Sequence, residues 1–304
     1  TVEVEIYQLV MFELDMAVAS VLVWLVLGVT AAAGLLYAWF GRRAVSDKAV
    51  SPVMPSPPQS VGEYVLLAFA AAVLSVCCLF PLLAIVVKAW SAGESWRVLM
   101  ESETWQAVWN TLRFSAAAVY AAAVLGVVYA AAARRSAWMR GLMFLPFMVS
   151  PVCVSAGVLL LYPQWTASLP LLLAMYALLA YPFVAKDVLS AWDALPPDYG
   201  RAAAGLGANG FQTACRITFP LLKPALRRGL TLAAATCVGE FAATLFLSRP
   251  EWQTLTTLIY AYLGRAGEDN YARAMVLTLL LAAFALGIFL LLDGGEGGKQ
   301  TETL

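Results

Sequence analysis

The stretch DALPPDYGRAAAGLGANGFQTACRITFPLL, residues 193–222, decides the fold of this chain. It lies between two long apolar runs, at residues 168–186 and 226–247. Pro196-Pro197-Asp198 predicts a turn and a helix start, because a proline fits the first turn and Asp198 would lie at the positive end of the helix dipole. The Ala-rich residues 198–206 favour a helix.

Gly207 is expected to end that first helix, because glycine adopts the left-handed conformation without steric cost. A second, amphipathic helix is predicted to begin near Asn209 and to end before Pro220. Two short helices joined at a glycine make a compact knob that protrudes from the membrane. The small side chains of residues 202–204 would let another protein approach this knob closely.

The rest of the chain is strongly apolar. Of its 304 residues 62% are hydrophobic and 12% are charged, with a mean hydropathy of +0.78, whereas a soluble domain carries about 25% charged residues. A membrane-spanning helix needs about 20 mostly apolar residues. Seven runs meet this need, at residues 17–40, 63–89, 106–133, 141–162, 168–186, 226–247 and 272–292. The sequence therefore predicts an all-α membrane protein, a polytopic bundle of about seven transmembrane helices.

The basic residues predict the orientation of these spans, because cytoplasmic loops carry an excess of Lys and Arg. Three basic groups fall on one side of the membrane if the spans alternate, and we place that side in the cytoplasm. The segment 1–16 then lies outside and the tail 293–304 inside. The three groups comprise Arg42, Arg43 and Lys48; Arg134, Arg135 and Arg140; and Lys186, Arg201, Arg216, Lys223, Arg227 and Arg228.

Composition argues against several functions. The chain has no histidine, which removes the commonest general base and metal ligand. Its five cysteines form no CxxC pair, and four of them lie in apolar runs, as small buried residues do. The net charge of zero gives no electrostatic case for nucleic acid. We predict no catalytic site and no metal site on this chain.

An internal similarity suggests the domain organisation. The stretch TVEVEIY at residues 1–7 resembles TLTTLIY at residues 254–260, and each is followed by a charged patch and an apolar span. Chance could also produce so short a match. If the match is a repeat, residues 1–43 are the last transmembrane helix of a preceding half that the fragment lacks. Residues 44–62, which are rich in Pro and Ser, are then a linker. Residues 63–292 are a complete six-helix unit, and residues 293–304 are a cytoplasmic tail.

The loop between the fifth and sixth spans resembles the coupling motif of ABC importer permeases, E-A-A-x3-G-x9-I-x-L-P. Ala202, Ala203, Gly207, Ile217 and Pro220 keep its spacing, whereas Arg201 replaces the Glu and Phe219 the Leu. The resemblance implies a permease fold of the type I importer class. It also implies that residues 193–222 dock on a cytoplasmic ABC ATPase dimer, whose ATP-driven closure moves the membrane helices. The Arg201 replacement puts in doubt any salt bridge that depends on the family's Glu.

Several partners follow from this resemblance. ATP would be bound and hydrolysed by the separate ATPase, so that this chain needs no cofactor and is not an enzyme. A periplasmic or lipoprotein substrate-binding protein would deliver the solute at the bacterial inner membrane. A second permease half would be fused in the same chain, or supplied by a homodimer if the chain is complete.

The resemblance extends beyond the coupling loop. Asn110-Thr111-Leu112 is similar to the family's N-[ST]-L signature, and Pro146 and Pro151 to its recurring prolines. Gly239-Glu240-Phe241, followed by residues 254–260, resembles permeases for ferric iron and for thiamine, in which two six-span halves are fused. Ferric iron or thiamine is therefore the expected solute. A polyamine could use the same acidic residue, and the binding protein largely sets the choice.

Three polar residues are candidates for the solute pathway: Glu240, Arg113 and Asn110. An ionisable group inside a span is costly, which makes Glu240 a functional-site hypothesis. Glu240 could instead make a structural hydrogen bond to a neighbouring helix or pair with Arg113. Arg113 could also extend towards the outer interface.

Two other functions remain open from the sequence. A non-transporting membrane scaffold would need no ATPase and would tolerate changes at Gly207. A secondary transporter should carry more paired charges or broken helices at the midplane, for which Glu240 alone is thin support.

Overall fold

The computed structural model describes residues 2–13, 15–44, 60–143, 145–165, 168–196 and 198–293. All regular secondary structure in these ranges is helical, and five single helices are long and apolar enough to cross a membrane. The all-α polytopic fold is thus confirmed. Most of the predicted linker, at residues 45–59, and of the predicted tail, at residues 294–304, lies outside the described residues.

The helices are numbered here in chain order. They are α1 (Val2–Gln8), α2 (Met16–Ala44), α3 (Val61–Trp90), α4 (Ser102–Ala133), α5 (Ala137–Leu142), α6 (Leu145–Met148), α7 (Pro151–Leu161), α8 (Leu169–Ala194), α9 (Asp198–Gly205), α10 (Gly210–Thr213), α11 (Phe219–Val238), α12 (Ala242–Leu247), α13 (Leu255–Leu263) and α14 (Glu268–Asp293). Wider π-helical turns occupy Ser75–Leu79, inside α3, and Ala214–Thr218, between α10 and α11.

Two of the seven predicted spans are interrupted in the structure. The run at 141–162 is divided among α5, α6 and α7, and Pro151 starts the last of these because it has no N–H to donate to a preceding turn. The run at 226–247 is divided between α11 and α12 at residues 239–241. Both interruptions lie in spans that sequence periodicity alone shows as uniformly apolar.

The centre of the bundle is formed by α4, α8 and α11, which pack closely on one another. Gly126 of α4 and Gly229 of α11 both face Val184 of α8. A Cβ at Gly229 would lie 2.8 Å from the Val184 Cα, so the two backbones touch there. Small residues at helix contacts are the usual means of close packing in membranes, where no hydrophobic force drives helices together.

The remaining helices surround this centre. On one side α14 packs against α3, α11 and α13. The long α3 has no buried residue in its spanning window, as expected of a helix that faces lipid. At the amino terminus α1 contacts α7, and Ile6, Leu9 and Val10 are buried in the main apolar cluster.

Candidate functional site

The knob predicted at residues 193–222 begins with α9, which ends in a complete Schellman motif. The Ala208 N–H donates to the Ala203 carbonyl at 3.0 Å, and the Gly207 N–H donates to the Ala204 carbonyl at 3.0 Å. Gly207 has φ +80°, in the left-handed region that this motif requires and that glycine adopts without strain. The structure therefore has the predicted turn at Gly207.

The second helix of the knob begins at Asn209 with a capping box. The Asn209 side chain accepts from the Gln212 N–H at 2.8 Å, and the Gln212 side chain accepts from the Asn209 N–H at 3.0 Å. These reciprocal bonds satisfy two backbone donors that a helix start leaves open. The two knob helices are thus joined by a rigid turn of three residues.

This second helix does not end before Pro220, contrary to the prediction. It continues from α10 through the π-helical turn into α11, so the knob and the sixth span form one helix. Pro220 lacks an N–H and its ring would press on the carbonyl four residues earlier. The wider turn accommodates this, since the Phe219 N–H donates to Ala214, five residues back.

The exposed face of the knob differs from the predicted one. Ala203 is 3% exposed and faces the knob's own interior, so only its neighbours Ala202 and Ala204 are accessible to a partner. Two apolar side chains on either side of the Gly207 turn project instead: Leu206 is 90% exposed and Phe211 78%. Arg201 is also exposed, with its guanidinium 3.4 Å from the Asp198 carboxylate.

Sequence reasoning missed Leu206 and Phe211 as candidate contact residues. A signal was available, because two large apolar residues flank a glycine in a loop that is otherwise small or polar. Isolated exposed apolar residues need no explanation. A pair at the tip of a rigid turn, by contrast, resembles the anchors that protein interfaces place in pockets.

The base of the knob is fastened to the neighbouring helices by a charged cluster. Asp193, at the end of α8, accepts from the Arg140 guanidinium at 2.6 and 3.2 Å and lies 3.5 Å from Arg134. The Arg134 guanidinium also stacks 4.9 Å over the Trp192 ring. Displacement of the knob would therefore also move the adjoining ends of α4, α5 and α8.

Ile217 and the knob base enclose a small cavity of about 230 Å³. Its wall includes Trp192, Tyr199 and Ile217, so the motif isoleucine packs beneath α9 rather than on the partner-facing surface. Pro220 lies in the first turn of α11 and is exposed. The motif residues thus divide between those that shape the knob and those at its surface.

Glu240, the first pathway candidate, lies in the break between α11 and α12 and is buried. Its carboxylate accepts a hydrogen bond from the Ala243 N–H at 2.9 Å, which caps the start of α12. Its backbone carbonyl accepts from the Thr256 hydroxyl at 2.9 Å and from the Tyr176 hydroxyl at 3.5 Å. The residue therefore joins α8, α12 and α13 at the point where the sixth span is interrupted.

The other two pathway candidates lie apart from Glu240. Asn110 is buried, and its side-chain amide donates to the carbonyls of Glu251 and Gln253 at 3.0 and 2.8 Å, which ties α4 to the loop before α13. Arg113 is exposed, with its guanidinium 4.7 Å over the Phe114 ring. Within the described part of the chain, Arg113 does not pair with Glu240, whose carboxylate accepts from a backbone N–H instead.

A comparison with known families gives a result that agrees with this fold. The profile of a family described as "Binding-protein-dependent transport system inner membrane component" matches residues 116–294, more than half of the chain. The chain belongs to this family. It is a multi-pass ABC importer permease subunit, and the resemblance indicated by the coupling motif is confirmed.

Individual relatives of the permease act on chemically different solutes. The sulfate transport system permease protein CysT of Escherichia coli is 29% identical over 250 residues, 73% of this chain and 89% of that protein. The thiamine transport system permease protein ThiP of Brucella abortus is 26% identical over 313 residues, 99% of this chain and 56% of that protein. The permease thus spans little more than half the length of its thiamine relative.

A solved structure shares the fold of the permease. It is a bacterial ABC transporter involved in the import of the acidic polysaccharide alginate, with a TM-score of 0.61 and 18% identity over 76% of this chain and 93% of that chain. At this identity the similarity shows the fold alone.

Proposed function

We propose that this permease translocates a small solute across the bacterial inner membrane, driven by ATP that a separate cytoplasmic ATPase dimer hydrolyses. Residues 193–222 transmit the movement of that ATPase to the membrane helices. A periplasmic or lipoprotein binding protein delivers the solute at the outer face. A second permease half, fused in the same chain, completes the pathway.

One observation carries this proposal: the exposed knob is continuous with a spanning helix. From Asn209 the helix runs through α10 and α11 to Val238 without a break. A helix rises 1.5 Å per residue, so this segment is a rod of roughly 40 Å, of which the first part is the knob and the last part belongs to the sixth span. A push on Leu206 or Phe211 is therefore transmitted along the rod to Glu240.

The break at residues 239–241 is where this rod ends. Displacement of α11 together with α8 would move the Glu240 carbonyl against its Thr256 partner and so shift α13. The ATPase-driven motion is thereby converted into a rearrangement at the far end of the bundle. A continuous helix at the knob and an interruption within the sixth span are the arrangement that such a conversion needs.

Thiamine is the first solute to test, because the Brucella thiamine permease aligns along 99% of this chain. Ferric iron is the alternative from the sequence resemblance. Sulfate, named for the Escherichia coli relative, is an anion and provides a contrast to both. Because Glu240 is engaged in capping α12, its charge alone does not select a cation.

The coupling hypothesis is tested by two valine substitutions in the knob. Gly207→Val forces a β-branched residue to φ +80°, whereas Gly205→Val adds the same side chain to a helical position, and neither Cβ would meet an atom within 4 Å. The complete permease, its ATPase and a binding protein loaded with thiamine, ferric iron or sulfate are reconstituted in proteoliposomes. We expect uptake of one solute, a loss of roughly tenfold or more with Gly207→Val, and little change with Gly205→Val.

Equal uptake by both variants would contradict the coupling role of the Gly207 turn. A second pair of variants tests the docking surface. Leu206→Ser with Phe211→Ser should weaken co-purification of the ATPase, whereas Met100→Ser, at an equally exposed side chain on the opposite end, should not. Failure of the parent permease to bind any ATPase would favour the scaffold hypothesis.

A further inference from the structure

The two segments that resemble each other in sequence also form the same helical arrangement. Residues 2–8 form α1, which is followed by the long α2. Residues 255–263 form α13, which is followed by the long α14. In each case a short helix of seven to nine residues precedes a spanning helix, although a π-helical segment, Leu9–Glu13, follows the first short helix and a four-residue turn, 264–267, follows the second.

Equivalent residues of the two segments contact each other. Tyr7 and Tyr260 both end their seven-residue stretches, and their rings meet edge to face with centroids 6.2 Å apart and an interplanar angle of 90°. When two equivalent residues of a repeat touch, they lie beside the twofold axis that relates the repeats, as in an isologous interface. The Tyr7–Tyr260 contact therefore places such an axis between α1 and α13.

The contact is part of a larger aromatic cluster. The Tyr7 ring also packs edge to face on Phe12 at 5.8 Å and on Phe246 at 5.5 Å, and the Tyr260 ring packs on Phe241 at 5.1 Å. Such pairs contribute beyond their buried area. Phe12 and Tyr260 remain exposed on one side of the cluster.

The cluster is connected to the moving parts of the permease. Phe241 directly follows Glu240 in the break between α11 and α12. Phe246 belongs to α12, whose start Glu240 caps. On the other side, Ile6, Leu9 and Val10 anchor α1 in the apolar core, which also holds Phe246 of α12, whereas Tyr260 of α13 stays exposed.

We propose that Tyr7, Phe241 and Tyr260 form an aromatic gate that closes the solute pathway on the axis between two permease halves. This inference rests on the proposed function, because a pathway shared by two equivalent halves must run along the axis that relates them. Displacement of α11 moves Phe241 and separates the Tyr260 ring from Tyr7, which opens the gate. A closed gate of stacked rings excludes water and ions without any charged group.

Cross-linking tests the gate directly. In the complete permease with all its cysteines replaced by serine or alanine, Tyr7→Cys and Tyr260→Cys are combined and joined with a short bifunctional methanethiosulfonate. We expect the cross-link to form and to lower ATP-driven uptake and ATP hydrolysis by roughly tenfold, with recovery after reduction. The matched control combines Tyr129→Cys and Tyr181→Cys, whose parent rings lie 5.3 Å apart between α4 and α8, and should change activity by less than roughly twofold.

A second measurement does not depend on transport. The single variant Tyr260→Cys is labelled with a membrane-impermeant trimethylammonium methanethiosulfonate in the absence of nucleotide and with ATP and vanadate. We expect the labelling rate to change by roughly tenfold between these states. The rate at Met100→Cys, on the exposed loop between α3 and α4, should stay constant.

The outcomes separate the two proposals. If the parent permease binds and stimulates an ATPase but the Tyr7–Tyr260 cross-link fails to form, or forms without affecting hydrolysis, the gate is refuted and the coupling function stands. A constant labelling rate at Tyr260→Cys would refute the gate in the same way. If the parent binds no ATPase, the proposed function fails and the gate fails with it.

Discussion

The helix α8 contacts the interrupted sixth span at two places that differ in kind. Near Val184 it meets Gly229 of α11 backbone to backbone, with Gly126 of α4 on its other side. Near Tyr176 it meets the start of α12 through hydrogen bonds, one shared between the Tyr176 and Thr244 hydroxyls and one in which the Tyr176 hydroxyl donates to the Glu240 carbonyl. The first contact is set by shape, and the second by polar partners.

The difference between these contacts indicates which part of the bundle can move. Closely packed backbones have one arrangement, because any displacement either opens a void or creates a clash. Hydrogen bonds between hydroxyls and carbonyls can be exchanged for others at a modest net cost. We therefore expect α4, α8 and α11 to move as one body near Val184, and α12 and α13 to rearrange near Tyr176.

The largest expected effect is at the close contact. Gly229→Ala would place a Cβ 2.8 Å from the Val184 Cα, an obstruction that a rotamer change cannot relieve. We expect a loss of about 3 kcal/mol in the free energy of unfolding, the upper part of the range for overpacking. The thermal midpoint of the purified permease in detergent measures it.

Gly157→Ala is the matched control, because nothing lies within 4 Å of a Cβ at that position in α7. Its midpoint should stay close to that of the parent. Equal midpoints for both alanine variants would show that α8 and α11 can separate at Val184, and would remove the basis for treating them as one body.

A smaller loss in the free energy of unfolding is expected at Glu240, where hydrogen bonds hold the interrupted sixth span. Glu240→Ala removes the acceptor for the buried Ala243 N–H, which should cost about 2 kcal/mol. Glu240→Gln keeps an acceptor oxygen at that place and should recover most of this stability. If Glu240→Gln is stable but abolishes uptake, the charge itself serves the pathway, and a purely capping role is excluded.

Removal of the Tyr176 contact should lower the free energy of unfolding by about 1 kcal/mol, the typical net value of one hydrogen bond. Tyr176→Phe removes the hydroxyl that meets Thr244 and Glu240 and leaves the buried ring in place. Tyr120→Phe, at an exposed side chain on α4, removes a hydroxyl that faces away from the described core and is the control. A midpoint for Tyr176→Phe equal to that of the control would mean that the polar contact is not what positions α12.

The local features of this permease could be predicted from its sequence. The apolar runs predicted where helices cross the membrane, because a spanning helix is recognised from its length and hydropathy alone. Gly207 predicted the left-handed turn, and Asn209 the second helix start, because both depend on residues within one turn of the chain.

Features that depend on distant partners could not be predicted in this way. Pro220 suggested a helix end, but the π-helical turn before it allows the helix to continue. Ala203 looked accessible, but the tight turn at Gly207 folds it inward. The break at Glu240 depends on Tyr176 and Thr256, which lie 64 positions before it and 16 positions after it. A pattern search along the sequence does not bring such residues together.

The smallest expected effect tests whether charge adds to the fixed part of the bundle. The Arg227 guanidinium of α11 donates to the carbonyls of Leu291 and Leu292, at the carboxyl end of α14. A cation there satisfies carbonyls that the helix leaves open and complements its dipole, which is worth about 0.5 kcal/mol. Arg227→Met should therefore lower the midpoint slightly, whereas Arg97→Met, at an exposed pair with Glu94, should leave it unchanged. A loss with Arg227→Met as large as that with Gly229→Ala would mean that α11 is held by its charged end as much as by its packing, and the contrast between shape and polar contacts would fail.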